Sequence, residues 1–355
     1  MNLKLILTPL LAITLIGCGN SVGTKSSSVT ESSEANTSKS TDTTEEKSSN
    51  DTYDIKWVTP TGAPTLPFYE EAKNTNWLST STPADVMPQA FAGNSYDAIV
   101  FDGISGLNLI RKSQGASHYA LARWINELPF YLVSTTHTAE ETITLDHKID
   151  AFVENGTASQ ALRKLAKSNW NIGELTNVTY ETGVSIVQSN LVRDHTSYDY
   201  YVLAEPVYTL TKANLASKGV TLNLIKDLQK EWSDNYEGAK IPSAGLFINL
   251  DTLSAHESAL EKFVISFDTG VYNLVKNASS VKETLLNLEK EEEGLIAKQF
   301  GVALPIINQL DKLQEENKLG FLDEMCLKTE NMNYANLFAS ALGANEYGET
   351  LFASI

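Results

Sequence analysis

Basic residues are scarce and nowhere gathered. Lys and Arg number 27 against 44 Asp and Glu, for a formal net charge of -17. No Lys/Arg cluster of the kind that tracks phosphates is present, so a nucleic-acid partner is excluded. Arginine occurs only at Arg111, Arg123, Arg163 and Arg193. The five histidines, His118, His137, His147, His195 and His256, form no His-x-x-x-His pair, and no Cys-x-x-Cys occurs, so the spacing of a metal site is missing. From Tyr53 onward no serine lies in a Gly-x-Ser-x-Gly elbow, which removes the usual signature of a serine hydrolase. There are only two cysteines, Cys18 and Cys326.

The first of these cysteines has a telling position. Lys4 precedes an apolar stretch from Leu5 to Ile16, which is too short to span a bilayer and reads as a secretory signal peptide over residues 1–17. Its end, Leu15-Ile16-Gly17-Cys18, resembles the lipobox of bacterial lipoproteins. That resemblance implies cleavage before Cys18 and acylation of its thiol by chains such as palmitate. An ordinary signal peptide with an incidental cysteine is the alternative. Residues 18–52 are rich in Ser and Thr, mixed with charges and without aromatics, a composition unable to bury enough apolar surface to offset ordering entropy. They read as a disordered tether, with an adhesive, mucin-like tract as the alternative. With Cys18 acylated, Cys326 has no disulfide partner and is expected as a small core residue.

Beyond Tyr53 the chain, 42% hydrophobic overall, is long enough for two lobes. It is organised around residues 96–103, Tyr-Asp-Ala-Ile-Val-Phe-Asp-Gly, a short apolar run ending in Asp102 and Gly103 before a helical pattern. In open α/β sheets ligands bind outside the carboxyl ends of such strands. The pattern recurs. Asp54–Thr59 is a strand followed by the turn Thr61-Gly62-Ala63-Pro64-Thr65 and a helix through Leu66 and Ala72. Thr82-Pro83-Ala84-Asp85 starts another helix. Tyr119–Ile125 and Leu128–Ser134 are extended, and Trp124, Asn126 and Phe130 within or between them could reach a ligand, although aromatic residues in strands more often form core. Lys148–Val153 is a strand, Glu154–Thr157 a turn and Ala158–Ser168 a helix. Tyr198–Leu203 is a strand ending in Ala204-Glu205-Pro206, where Glu205 is either a ligand contact or an acid at a helix entry. Ala244–Leu250 is a returning strand, and helices follow over 255–276, 281–300 and 305–317 and near 331–342. The acidic run Glu289–Glu293 reads as a solvated face.

Taken in order, the lipobox, the Thr-Gly-Ala-Pro turn, the Tyr-Asp-Ala-Ile-Val strand, Gly156-Thr157-Ala158-Ser159 and Tyr201-Val202-Leu203-Ala204-Glu205-Pro206 resemble extracellular solute-binding lipoproteins of ABC importers. The likeness covers most of residues 53–280 and is nearest to the branch serving nitrate, sulfonates, bicarbonate and thiamine precursors. It implies an α/β fold of the two-lobed type II periplasmic-binding class, with two hinge crossings near 135–140 and 240–245 and a helical C-terminal part. Lobe 1 would be 53–136 plus 245–355, and lobe 2 would be 137–244. The implied activity is capture of a small-molecule solute and its delivery to ABC permease subunits. The implied state is a monomer, lipid-anchored at the extracytoplasmic face of the bacterial membrane, without cofactor or catalysis. A sensory or adhesive surface lipoprotein, or an enzyme on the same fold, is the competing reading. By position the expected ligand contacts are Thr61, Gly62, Ala63, Pro64, Thr65, Asp102, Gly103, Trp124 and Asn126 from lobe 1, with Gly156, Thr157, Ala158, Ser159 and Glu205 from lobe 2. Acids at 102 and 205 and the shortage of arginine depart from an anion-binding member, which turns the expectation towards a small nitrogen-containing solute stacked on an aromatic ring, such as a pyrimidine-like precursor.

Overall fold

A computed structural model describes residues 53–74, 76–114 and 116–355. The signal peptide, Cys18 and the tether lie outside the described residues. Ten strands form two five-stranded sheets. The strands are β1 Trp57–Pro60, β2 Trp77–Thr80, β3 Ala98–Asp102, β4 Tyr119–Trp124 and β5 Phe130–Ser134, followed by β6 Ile149–Phe152, β7 Val178–Glu181, β8 Tyr200–Ala204, β9 Asn223–Asp227 and β10 Ala244–Asn249. The first sheet runs β2-β1-β3-β10-β4 and the second β7-β6-β8-β5-β9.

Both sheets follow one plan. In the first, β1 pairs in parallel with β2 and β3, and β10 lies antiparallel between β3 and β4. In the second, β6 pairs in parallel with β7 and β8, and β5 lies antiparallel between β8 and β9. The antiparallel strand of each sheet is the one that arrives from the other lobe. Helices follow β3, β6 and β8 and cover the sheets, so strands such as β3 and β8 are buried along nearly their whole length. This explains their continuous apolar runs. A stack of Trp57 on Trp77, with ring centroids 4.4 Å apart, and of Trp57 on Phe68 closes one side of the first sheet.

The crossing expected near 135–140 lies earlier, at 125–129. The second sheet holds β5, so lobe 1 leaves off before Phe130 and not at 136. Local pattern could not decide this, because β5 is as apolar as β4 and each suits either sheet. The return passes through 236–243 into β10. The two crossings are hydrogen-bonded side by side: Ser243 N donates to Asn126 O (3.0 Å), Ala244 N to Asn126 Oδ1 (3.1 Å) and Ile125 N to Ala244 O (2.8 Å).

The helix read through Leu66 and Ala72 is a 3-10 segment, Ala63–Glu71, with Pro67 inside it. The pattern over 281–300 is two helices, Ala278–Glu291 and Leu295–Phe300, divided at Gly294, whose φ of +83° suits glycine. Glu289 is not merely solvated, since its carboxylate accepts Gly294 N (2.7 Å) and Ile296 N (3.0 Å) and so starts the second helix, while Glu291–Glu293 are exposed. Cys326 is half-buried rather than core. Strands β2 and β9 escaped sequence reading because each is short and buries a single apolar residue, Trp77 or Ile225, while its leucine, Leu78 or Leu224, is exposed.

One buried carboxyl in lobe 2 ties stability to pH. Asp150 of β6 is fully buried; its Oδ2 accepts Asn190 Nδ2 (3.0 Å), and its Oδ1 meets no protein donor. Burial pushes its pKa up to about 6, against the pull of the Asn190 bond and with a further push from Glu181. Because the folded value lies above the ordinary 3.8, the native state holds the extra proton, and the associated stability falls as pH rises through about 4 to 6. Asp150→Asn should therefore raise the melting temperature more at pH 7.5 than at pH 4.5. Paired thermal melts at the two pH values check this.

Candidate functional site: a cleft between the lobes

The carboxyl ends of β1 and β3 face those of β6 and β8 across a cavity of about 270 Å³. Lobe 1 supplies Thr61, Gly62, Ala63 and Pro64 after β1, and Phe101 and Asp102 at the end of β3. Lobe 2 supplies Phe152 and Val153 at the end of β6, Gly156 and Thr157 at a helix start, Gly183–Ser185 at another, and Ala204–Val207 from the end of β8. Leu128, Phe130, Ser243 and Ala244 of the crossings form the floor. Gly301, Val302, Ala303 and Ile306 form a further wall, which the sequence did not reveal. This wall is tied to the first turn. Gly62 N donates to Phe300 O (2.7 Å), and Thr65 Oγ1 donates to Gly62 O (2.6 Å) and Phe300 O (3.3 Å). Gly62 holds φ +110°, and a Cβ on Gly301 would come within 2.3 Å of Thr61 Cβ, so both glycines are needed for the close approach.

Asp102 joins the lobes. It caps the helix Gly103–Lys112, with Ser105 N donating to Oδ1 at 2.8 Å. The same carboxylate reaches across the cleft to the start of Thr157–Ser168, where Thr157 N donates to Oδ2 (3.0 Å) and Thr157 Oγ1 to Oδ1 (2.9 Å). Beside it Ser105 Oγ donates to Asn155 O (3.2 Å), and at the other rim Ala84 N donates to Thr182 O (3.4 Å). The described lobes thus meet in a closed arrangement. Burial raises the pKa of Asp102, opposed by the donors of Thr157 and Ser105.

Glu205 is buried at the start of the helix Val207–Ser217, where its oxygens accept Thr209 N (3.1 Å) and Thr209 Oγ1 (3.0 Å). Burial raises its pKa, against the Thr209 donors and the charge of Lys318 on lobe 1. Glu205 is thus the acid at a helix entry that one reading of it expected, and it stands at the cavity wall.

Of the residues singled out in the sequence, Thr61, Gly62, Ala63, Pro64, Asp102, Gly156, Thr157 and Glu205 line the cavity. Six do not. Thr65 is wholly buried and braces the Gly62 turn. Ala158 and Ser159 lie under the helix start, with Ser159 Oγ donating to Phe152 O (2.8 Å). Asn126 ties the crossings together. Gly103 receives the Trp124 ring, since a Cβ there would lie 1.9 Å from Trp124 Cζ3. Trp124 is therefore core, with Nε1 donating to Asn331 O (2.9 Å), and it offers no stacking face to a ligand. The aromatic faces at the cavity are Phe101, Phe130 and Phe152 instead. Phe130 was legible as an aromatic near the wall, whereas Phe152 looked like ordinary strand core. Among the described residues no group of three or more His, Cys, Asp or Glu is placed to hold a metal ion.

Two substitutions probe this geometry. Thr157→Val keeps the side-chain volume but removes the hydroxyl donor, and should weaken the closed arrangement by about 1 to 3 kcal/mol; small-angle scattering of the unliganded protein should then show a larger radius of gyration. Gly103→Ala overpacks Trp124 and should cost about 1 to 3 kcal/mol of stability in urea unfolding.

No protein-family model matches the chain, and no curated protein matches it. Solved structures do. The ligand-binding component of an ABC-type import system from Staphylococcus aureus, determined with zinc bound, aligns with TM-score 0.59 at 12% identity over 84% of this chain and 96% of its own. The alkanesulfonate-binding protein SsuA from Xanthomonas axonopodis pv. citri, bound to MOPS, aligns with TM-score 0.54 at 13% identity over 85% and 98%. A Candida albicans protein described as exhibiting the generic periplasmic binding protein structural fold aligns with TM-score 0.54 at 9% identity over 84% and 92%. At these identities what is shared is the fold: this chain has the two-lobed α/β architecture of periplasmic binding proteins.

Proposed function

We propose that the chain is an extracytoplasmic solute-binding lipoprotein, anchored through Cys18, that captures a small molecule between its lobes and delivers it to the permease of an ABC importer. The observation that carries this reading is the cavity itself, which is lined from both lobes and bounded by contacts that exist only while the lobes are together. A ligand touching both walls gains contacts only in the closed form and so shifts the population towards it. The lobes would be 53–125 with 244–355, and 130–235, hinged at the paired crossings. Thr61, Gly62, Ala63, Pro64 and Asp102 would form one wall and Gly156, Thr157 and Glu205 the other.

Catalysis has little to work with here. The hydroxyls of Ser81, Ser185 and Ser243 line the cavity without a His, Lys or Cys among the described lining residues, and the hydroxyl held by a carboxylate, Thr157 on Asp102, belongs to the contact between the lobes. The Staphylococcus aureus neighbour is the ligand-binding component of an import system, and the Xanthomonas one is an alkanesulfonate-binding protein.

Differential scanning fluorimetry of the full-length chain against vitamins, sulfonates, amines, amino acids and uncharged aromatics should give a ligand-dependent rise in melting temperature. Saturation at about a hundred times Kd corresponds to about 2.7 kcal/mol. A macromolecule that binds where every small molecule fails would replace solute capture with a receptor or adhesive role. Separately, Cys18→Ser should move the protein from the membrane fraction to the soluble fraction. Retention without lipid would remove the anchor.

A further inference from the structure

Five helices of at least ten residues begin at the cavity: Pro83–Gly93, Gly103–Lys112, Thr157–Ser168, Val184–Arg193 and Val207–Ser217. Each helix start carries about half a positive charge and unpaired N–H donors, so helix starts converging on one space would by themselves make a strong anion site. Here the chain has filled that role from within. Asp102 takes the donors of two helices, accepting Ser105 N from one and Thr157 N from the other. Glu205 takes Thr209 N of a third. Two begin without a side-chain cap: Val184–Arg193, at Gly183, and Pro83–Gly93, where Pro83 has no N–H and the next donors go to backbone, Ala84 N to Thr182 O (3.4 Å) and Asp85 N to Thr82 O (3.1 Å).

The remaining charges reinforce the point. No Lys, Arg or His lines the cavity among the described residues, so nothing replaces the spent donors for an incoming anion. A cation fares no better, because both carboxylates already have hydrogen-bond partners and are offset by the helix ends that they cap. What is left is mainly apolar wall, from Phe101, Phe130, Phe152, Val302 and Ile306. Uncharged polar groups remain at Ser185 and Gln188, on an uncapped helix start, and at Thr61, Ser81 and Ser243.

We infer that the two carboxylates act as built-in counterions to the helix starts, and that the cavity takes an uncharged, largely apolar organic solute while rejecting anions and organic cations of the same size. This rests on solute capture as the function of the cavity and names the class of solute.

Matched sets of probes test it: benzoate, benzylamine and benzyl alcohol, then indole-3-acetate, tryptamine and tryptophol, each titrated calorimetrically into the full-length chain at neutral pH. The alcohol of a set should bind about tenfold or more tighter than its acid and its amine. Glu205→Gln removes one counterion and should raise the ratio of benzoate to benzyl alcohol affinity about tenfold. If that variant fails to fold, the ranking on the native chain decides alone. A charged member binding best in either set, a ratio unmoved in folded Glu205→Gln, or no binding by any member while the fluorimetry panel yields a charged hit would each overturn the neutral-solute rule and leave solute capture standing. An uncharged hit from that panel supports the rule. Failure of every small molecule would end solute capture and this inference together.

Discussion

One carboxylate holds starts of two helices that belong to different lobes. Asp102 ends β3, caps the helix that follows it, and accepts the backbone and hydroxyl donors of Thr157 on the far side of the cleft. A helix start needs its donors satisfied whether the lobes are together or apart. When they are together Asp102 satisfies both helices; when they part, water must take over at Thr157. Closing is therefore an exchange of one set of hydrogen bonds for another, with a modest net difference, and this is the regime in which a ligand's own contacts can decide the population. The cavity, the position of Gly156 and the approach of Asn155 to Ser105 all depend on that junction.

The fold was largely legible in the sequence because its signals are local. Runs such as Ala98–Phe101 and Tyr200–Leu203, each followed by an acid and a helix, can hardly be anything but buried parallel strands with a turn at the carboxyl end. What was illegible depends on assembly. β5 could belong to either sheet until its partners are known, and the crossing was misplaced for that reason. The cleft showed the same division. Residues at strand ends and helix starts, such as Gly62, Asp102, Thr157 and Glu205, were found from their turn chemistry. Trp124 was misassigned because a tryptophan beside a proposed wall looks like a platform, whereas the bare Cα of Gly103 lets its ring pass behind the wall.

The wall formed by Gly301–Ile306 carries a related lesson. No pattern in that stretch announces a site. It reaches the cleft because Glu289 restarts the helix after Gly294, and because Gly301, with φ +61°, lets the chain pass against Thr61. A helical region that otherwise braces the first sheet thereby contributes directly to the shape of the space a solute must fill.

The exchange of one strand between the sheets also governs the order in which the protein can come into being. In the first sheet β3 and β4 touch only through β10, which lies beyond the whole of the second lobe in the chain. A chain emerging from its N-terminus cannot complete that sheet until residue 249 has appeared, whereas the second sheet is contained in the unbroken stretch from 130 to 227. Lobe 2 can thus assemble while the edges of β3 and β4 still wait for their shared partner, and the long closure that brings in β10 is the slow, late step. Until it occurs the apolar faces of β3 and β4 stand open, which makes this interval the point in the molecule's life when it is most exposed to misassociation.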